Sequence, residues 1–223
     1  MGEIGNKVSS FYNSLKKEKN HRYKSWEHCY RYFQNKKSFD IDTAALHLGF
    51  FLASWGMYRA SSFLLRKDYK IHTPIIKELR KSKYKTLYNL DYTKISPGAE
   101  KINQILVLVN TIKHSYKSRI EYVDTEKKKV EVSDTLATKI LMGTLGSTPA
   151  YDRYFIAGLR KKGLTFSYLN NKNINKLIEF CNNNSKDIKK AQEKTNKQGI
   201  KYPSAKIIDM YFWQIGFDEE YKK

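Results

Sequence analysis

Residues 133–163 read SDTLATKILMGTLGSTPAYDRYFIAGLRKKG. An apolar segment opens at Ser133 and runs to Leu145, Gly146 stops it, and Pro149 opens a second segment that Gly163 ends. Serine before an apolar run, glycine after it and proline near the next start are the punctuation of two short helices joined by a turn. The spacing therefore predicts helices over 133–145 and 149–163, with Asp152 in the first turn of the second.

Working outward, the same helical period recurs along the chain. Ile4, Val8, Phe11, Tyr12 and Leu15 share one face, as do Trp26, Cys29, Tyr30 and Phe33. Ile41 to Leu65 is apolar nearly all round and is expected to be the buried central helix, capped by Asp42 or Thr43. Gly49 and Gly56 within it would let another helix come close. A helix over Pro74–Lys81 with Thr73 as cap, a loop over 83–96 and a helix opened by Ser96–Pro97 follow. That helix turns Ile102, Ile105, Leu106, Val109 and Ile112 inward. The stretch 120–132, IEYVDTEKKKVEV, alternates, so a short hairpin competes with a helix end and loop. One helical region over 171–197 and a final helix over 203–215 complete the chain. The expectation is a single all-α domain over 1–223 with two lobes. One is a central core of 97–165; in the other, helices of 1–82 and 171–217 pack together.

Composition narrows the function. The 223 residues carry 42 Lys+Arg against 22 Asp+Glu, a formal net charge of +20. Such a charge is self-repulsive and points to a polyanionic partner. The cations come in short clusters interleaved with 17 tyrosines, as in Arg22–Tyr23–Lys24 and Lys83–Tyr84–Lys85. Cations beside rings suit a nucleic-acid surface. Codon bias in an A/T-rich genome would raise Lys, Asn, Ile and Tyr together, but it does not explain the shortage of acids. Two cysteines, Cys29 and Cys181, exclude a disulfide framework and a four-cysteine iron–sulfur or zinc site. No metal-ligand spacing or phosphate-loop motif is present, so neither metal nor cofactor is expected. The apolar stretch 44–58 falls short of the about 20 residues a membrane span needs. With a polar start, MGEIGNKVSS, the expectation is a cytoplasmic protein.

The 133–163 stretch resembles the core of the helix-hairpin-helix (HhH-GPD) DNA glycosylase superfamily, over about 30 residues. In that family a helix leads to a Gly/Pro turn that sets an aspartate at the mouth of a base pocket. Pro149, Asp152, Ile156 and Arg160 stand at the matching places. The resemblance implies a monomeric enzyme that binds double-stranded DNA and releases a damaged or modified base, in repair or in defence against foreign DNA. Asp152 is then the carboxylate that stabilises oxocarbenium-like charge on the sugar. First-turn acids also stabilise helices without any catalysis. The family's glycine-rich hairpin has no counterpart in KKKVEVSDT, where Lys127, Lys128 and Lys129 would grip phosphate by charge. Arg153, Arg160, Lys161 and Lys162 would hold flanking phosphates. Thr135 stands where members that also cut the backbone carry a lysine, and Lys139 lies one turn on as a possible lyase nucleophile. His47, Trp55, Tyr58, Arg59 and Trp213 are candidates for the base pocket, with core packing as the competing role.

A second reading comes from the Arg–x(4–6)–His spacing of all-α HEPN ribonucleases, which Arg66–His72 and Arg22–His28 both fit. It would require a dimer. The third is a nucleic-acid-binding protein without catalysis.

Overall fold

In the computed structural model, which describes residues 2–35, 38–123, 126–127, 130–196 and 200–221, the chain is all-α apart from one small hairpin. The helices are α1 (Glu3–Lys17), α2 (Ser25–Gln34), α3 (Ile41–Ser54), α4 (Thr73–Leu79), α5 (Glu100–Arg119), α6 (Asp134–Thr144), α7 (Arg153–Lys161), α8 (Asn171–Asn183), α9 (Ser185–Thr195) and α10 (Ser204–Tyr221). Short 3₁₀ turns cover Arg22–Lys24, Phe63–Arg66, Tyr69–His72 and Ser82–Leu87. The hairpin pairs β1 (Tyr122–Val123) with β2 (Glu126–Lys127), antiparallel. Among the described residues no helix is long and apolar enough to cross a membrane.

The centre of the molecule is not α3. That helix stops at Ser54, and it leaves Leu46 and Phe50 more than half exposed. Gly56, at φ +75°, ends it: the Gly56 N–H bonds to Ala53 O and the Met57 N–H to Leu52 O, a Schellman closure. Its cap is Asp40, whose carboxylate accepts from Thr43 N at 2.7 Å, rather than Asp42 or Thr43. The helices buried all round are α6, from Leu136 to Thr144, and α10, from Ser204 to Gly216. α6 packs on α2, α3 and α5, while α10 packs on α7, α1 and α9.

Other ends also differ from the periodicity. The Ser96–Pro97 start is displaced to Glu100, because Gly98 takes φ +79° and breaks the first turn. Pro149 lies in the turn before α7, and Asp152 is the cap of that helix, not a residue of its first turn. The region 171–197 divides at Asn184, and the final helix runs on past Ile215 to Tyr221.

α7 and α10 cross at two glycines. A Cβ on Gly158 would lie 1.9 Å from the Phe212 carbonyl oxygen, and one on Gly216 would lie 2.0 Å from that of Tyr154. Only hydrogen at both positions permits this backbone approach. The crossing locks α7, and with it Asp152, against the central helix.

Candidate active site

The segment 146–152 carries Asp152 from α6 to α7 and is pinned on two sides. Gly146, at φ +63°, closes α6 with its N–H on Leu141 O. The Ala150 N–H donates to Asp209 Oδ1 of α10 at 3.0 Å, and the Tyr151 N–H to Thr138 Oγ1 of α6 at 2.9 Å. The Thr135 hydroxyl donates to Tyr151 O at 2.7 Å. Asp152 Oδ1 then accepts from Phe155 N at 3.1 Å, capping α7.

Its other oxygen, Oδ2, lies 3.4 Å from Lys139 Nζ, and both side chains are about nine-tenths buried. Lys139 also donates to Trp55 O at 2.8 Å. Burial pulls the Lys139 ammonium below its usual range, and the Asp152 and Asp209 charges oppose that pull. A second buried ion pair stands behind the first: Lys206 Nζ to Asp209 Oδ2, 2.7 Å. The Lys206 ammonium sits 4.4 to 5.3 Å from the ring centres of Trp55, Trp26 and Phe11, a cation–π cage. Burial raises the Asp209 carboxyl despite Lys206.

Asp152 and Lys139 border a cleft of about 810 Å³. Its lining also includes Trp55, Arg59, Arg153 and Trp213, together with Arg22, Tyr23, Tyr154, Phe217 and Tyr221. The rings form one continuous series. Tyr23 meets Trp55 at 4.6 Å and Trp213 at 5.6 Å. Trp213 stacks on Phe217 at 4.9 Å, and Phe217 meets Tyr221 at 4.4 Å. Arg22 and Arg153 each lie over the tyrosine that follows them, at 4.9 and 4.5 Å.

Six of the glycosylase-site candidates thus border one cleft, Trp55, Arg59, Lys139, Asp152, Arg153 and Trp213, as do Thr135 and the Arg22 of the second ribonuclease pair. Comparisons with protein-family models, with curated proteins and with solved structures give no match.

The other candidates lie elsewhere. His47 stacks on Tyr32 at 4.6 Å, outside the cleft lining. Tyr58 turns its hydroxyl to His72 Nε2 at 2.7 Å, so it forms no sandwich with Trp55, whose ring is already flanked by Tyr23 and Lys206. Lys161 pairs with Glu219 at 3.1 Å, Lys162 bonds to Glu3, and Arg160 is exposed away from the cleft lining. Lys127 belongs to β2, and Lys128 and Lys129 lie outside the described residues. His72 is wholly buried, with its Nδ1 2.6 Å from the Tyr116 hydroxyl. Among the described residues no group of three His, Cys, Asp or Glu side chains could hold a metal.

The sequence reading named Tyr23 only within a cation–tyrosine cluster, and it missed Tyr154, Phe217, Tyr221, Lys206 and Asp209. A signal existed for some of them: Trp213, Phe217 and Tyr221 repeat every four residues, and Lys206 and Asp209 interrupt an otherwise apolar helix.

Proposed function

We propose that this protein is a DNA base-excision glycosylase that hydrolyses the N-glycosidic bond of a base drawn into the cleft, with Asp152 as the assisting carboxylate. The observation that carries this reading is the burial of Asp152 on an aromatic-lined cleft of about 810 Å³, on a segment pinned from both α6 and α10. A cleft of this size accommodates a nucleobase and its sugar. The stacked rings provide an apolar wall, and unstacking the base from DNA costs a few kcal/mol that such a wall offsets.

In the reaction the C1′–N bond breaks and its electron pair leaves with the base, which takes up a proton. Positive charge builds on the sugar, and water adds at C1′. A carboxylate with one oxygen fixed by the Phe155 amide keeps a constant orientation toward that charge. Preorganised charge of this kind accelerates such steps without reorganisation. Lys139 is held by Trp55 O and paired with Asp152, which supports water rather than the lysine as the attacking group. Arg22 and Arg59, exposed and without an acidic partner among the described residues, would bind phosphates at the cleft mouth.

The ribonuclease reading loses its leading pair. A histidine sealed between two tyrosine hydroxyls has no route to an RNA backbone, and Arg66 is exposed at the end of a separate turn. The alternative pair keeps an exposed His28, but only its Arg22 borders the cleft.

The test is incubation with duplex and single-stranded oligonucleotides bearing damaged or modified bases, and with phage DNA, followed by alkali. Strand breaks that need alkali and vanish in Asp152→Asn support the reading. Breaks that persist in Asp152→Asn, or none on any substrate, overturn it.

A further inference from the structure

We infer that Tyr221 is a stacking platform for an unpaired nucleotide next to the one in the cleft, so that the protein takes single-stranded or locally opened DNA in preference to intact duplex. The inference rests on the DNA reading above and names the strand state of its substrate.

Three observations carry it. The first is the aromatic series along α10. Trp213 is buried, Phe217 is half-buried and stacked on it, and Tyr221 closes the series at 69% exposure while still bordering the cleft. Each inner ring has a ring neighbour, and only the outermost is mostly open to water. An additional flat ring placed on it would extend the stack. Base-on-aromatic stacking is the usual sequence-tolerant grip on single strands, whereas bases in an intact duplex already stack on one another.

The second is charge. The helix end around Tyr221 carries Asp218, Glu219 and Glu220, which would repel a phosphate backbone if they stood alone. Each has a cationic partner: Lys7 at 2.5 Å, Lys161 at 3.1 Å and Arg153 at 3.4 Å. The local acids are thereby offset, and the Arg22 and Arg59 charges at the cleft remain available to the backbone.

The third is geometry. The platform and Asp152 border one cleft, so a strand that places one sugar at the carboxylate passes its neighbouring base along the rings. A duplex would have to separate there first.

The experiment is fluorescence anisotropy with a labelled, undamaged single strand and with the same strand annealed to its complement, for wild type, Tyr221→Ala and Tyr221→Trp. The single strand is expected to bind more tightly than the duplex. Tyr221→Ala should weaken single-strand binding by about 5- to 150-fold, the range for loss of one stacking ring. Tyr221→Trp should retain it, and duplex binding should not change. Equal or tighter duplex binding, or a Tyr221→Ala variant that binds the single strand like wild type, overturns the inference. Binding to undamaged strands does not depend on base release, so these results stand apart from the alkali assay. Excision without single-strand preference sinks only the platform; the absence of alkali-labile sites sinks only the glycosylase.

Discussion

Lys139 Nζ lies 3.4 Å from Asp152 Oδ2, and the pair joins the middle of α6 to the cap of α7 in a place largely closed to water. A buried pair is weak evidence of stability, but losing one partner leaves an uncompensated charge. Asn caps a helix about as well as Asp, so Asp152→Asn removes charge and keeps the cap. Base release should fall by about 100-fold or more, and DNA affinity should stay equal or rise. Lys139→Met/Asp152→Asn should unfold at higher denaturant than Asp152→Asn alone, because it removes the stranded ammonium. A double variant no more stable than the single would mean that the two groups do not interact. Denaturant titration of the three proteins decides this.

Gly158 and Gly216 give a sharper stability prediction. Alanine at either position drives a Cβ into backbone carbonyl oxygen that cannot rotate away. Each substitution should cost about 3 kcal/mol, the upper part of the overpacking range. Gly163 provides the contrast, since its φ of +77° penalises alanine while nothing lies within 4 Å. Gly163→Ala should cost about 1–2 kcal/mol, the left-handed backbone penalty alone. Urea midpoints would rank the variants, and the reverse order would contradict the tight crossing.

His72 sets a pH dependence. Burial between the Tyr58 and Tyr116 hydroxyls pushes its imidazole down to about 3, against about 6.5 in the unfolded chain. The unfolded state therefore binds the extra proton first. Its contribution to stability is complete above about pH 6.5 and is lost as pH falls toward 3, by about 1.4 kcal/mol per pH unit. His72→Gln keeps a donor and an acceptor but does not titrate. The variant should show a flatter stability profile between about pH 4 and pH 6.5, and an unchanged acid limb would assign the loss to other groups.

Salt offers a fourth check. Binding to DNA should weaken steeply as salt rises, because phosphate contacts release counterions. Arg22→Ala and Arg59→Ala should each lower the log–log salt slope by about 1. A slope unaltered by both would place the phosphate contacts elsewhere.

Much of the architecture could be read from periodicity. Ile102, Ile105, Val109 and Ile112 are buried as their spacing requires, whereas Leu106 is only partly buried and Leu108 joins the core instead; Ser133 caps α6, its hydroxyl accepting from Leu136 N. The antiparallel pairing of Tyr122–Val123 with Glu126–Lys127 matches the strand alternative of that alternating segment. The errors came where apolar content stood in for position. The run after Ile41 is richer in apolar residues than α10, yet its Leu46 and Phe50 face water, while α10 buries even Lys206 and Asp209. No local pattern reports that an ammonium has three aromatic rings around it. The residues bordering the cleft come from five separate stretches of chain, so their meeting depends on tertiary packing alone. Asp152 and Lys139 were visible as residue types, and their contact was not, because the twelve positions between them, the end of α6 and the turn to α7, decide it.

The crossing of α7 with α10 also fixes when the cleft can first form. Helix α10 follows every other described helix in chain order, and α1, the first, is tied to it through Lys7–Asp218 and the Tyr211 hydroxyl on Glu3. Contacts spanning more than two hundred residues form late and slow folding. A ribosome-bound chain that has released 1–200 holds Asp152 but lacks Asp209, Trp213 and the glycine at 216 that seat it. The cleft has no far wall until α10 emerges, so a chain released only as far as residue 200 has every other wall of the cleft and nothing to close it.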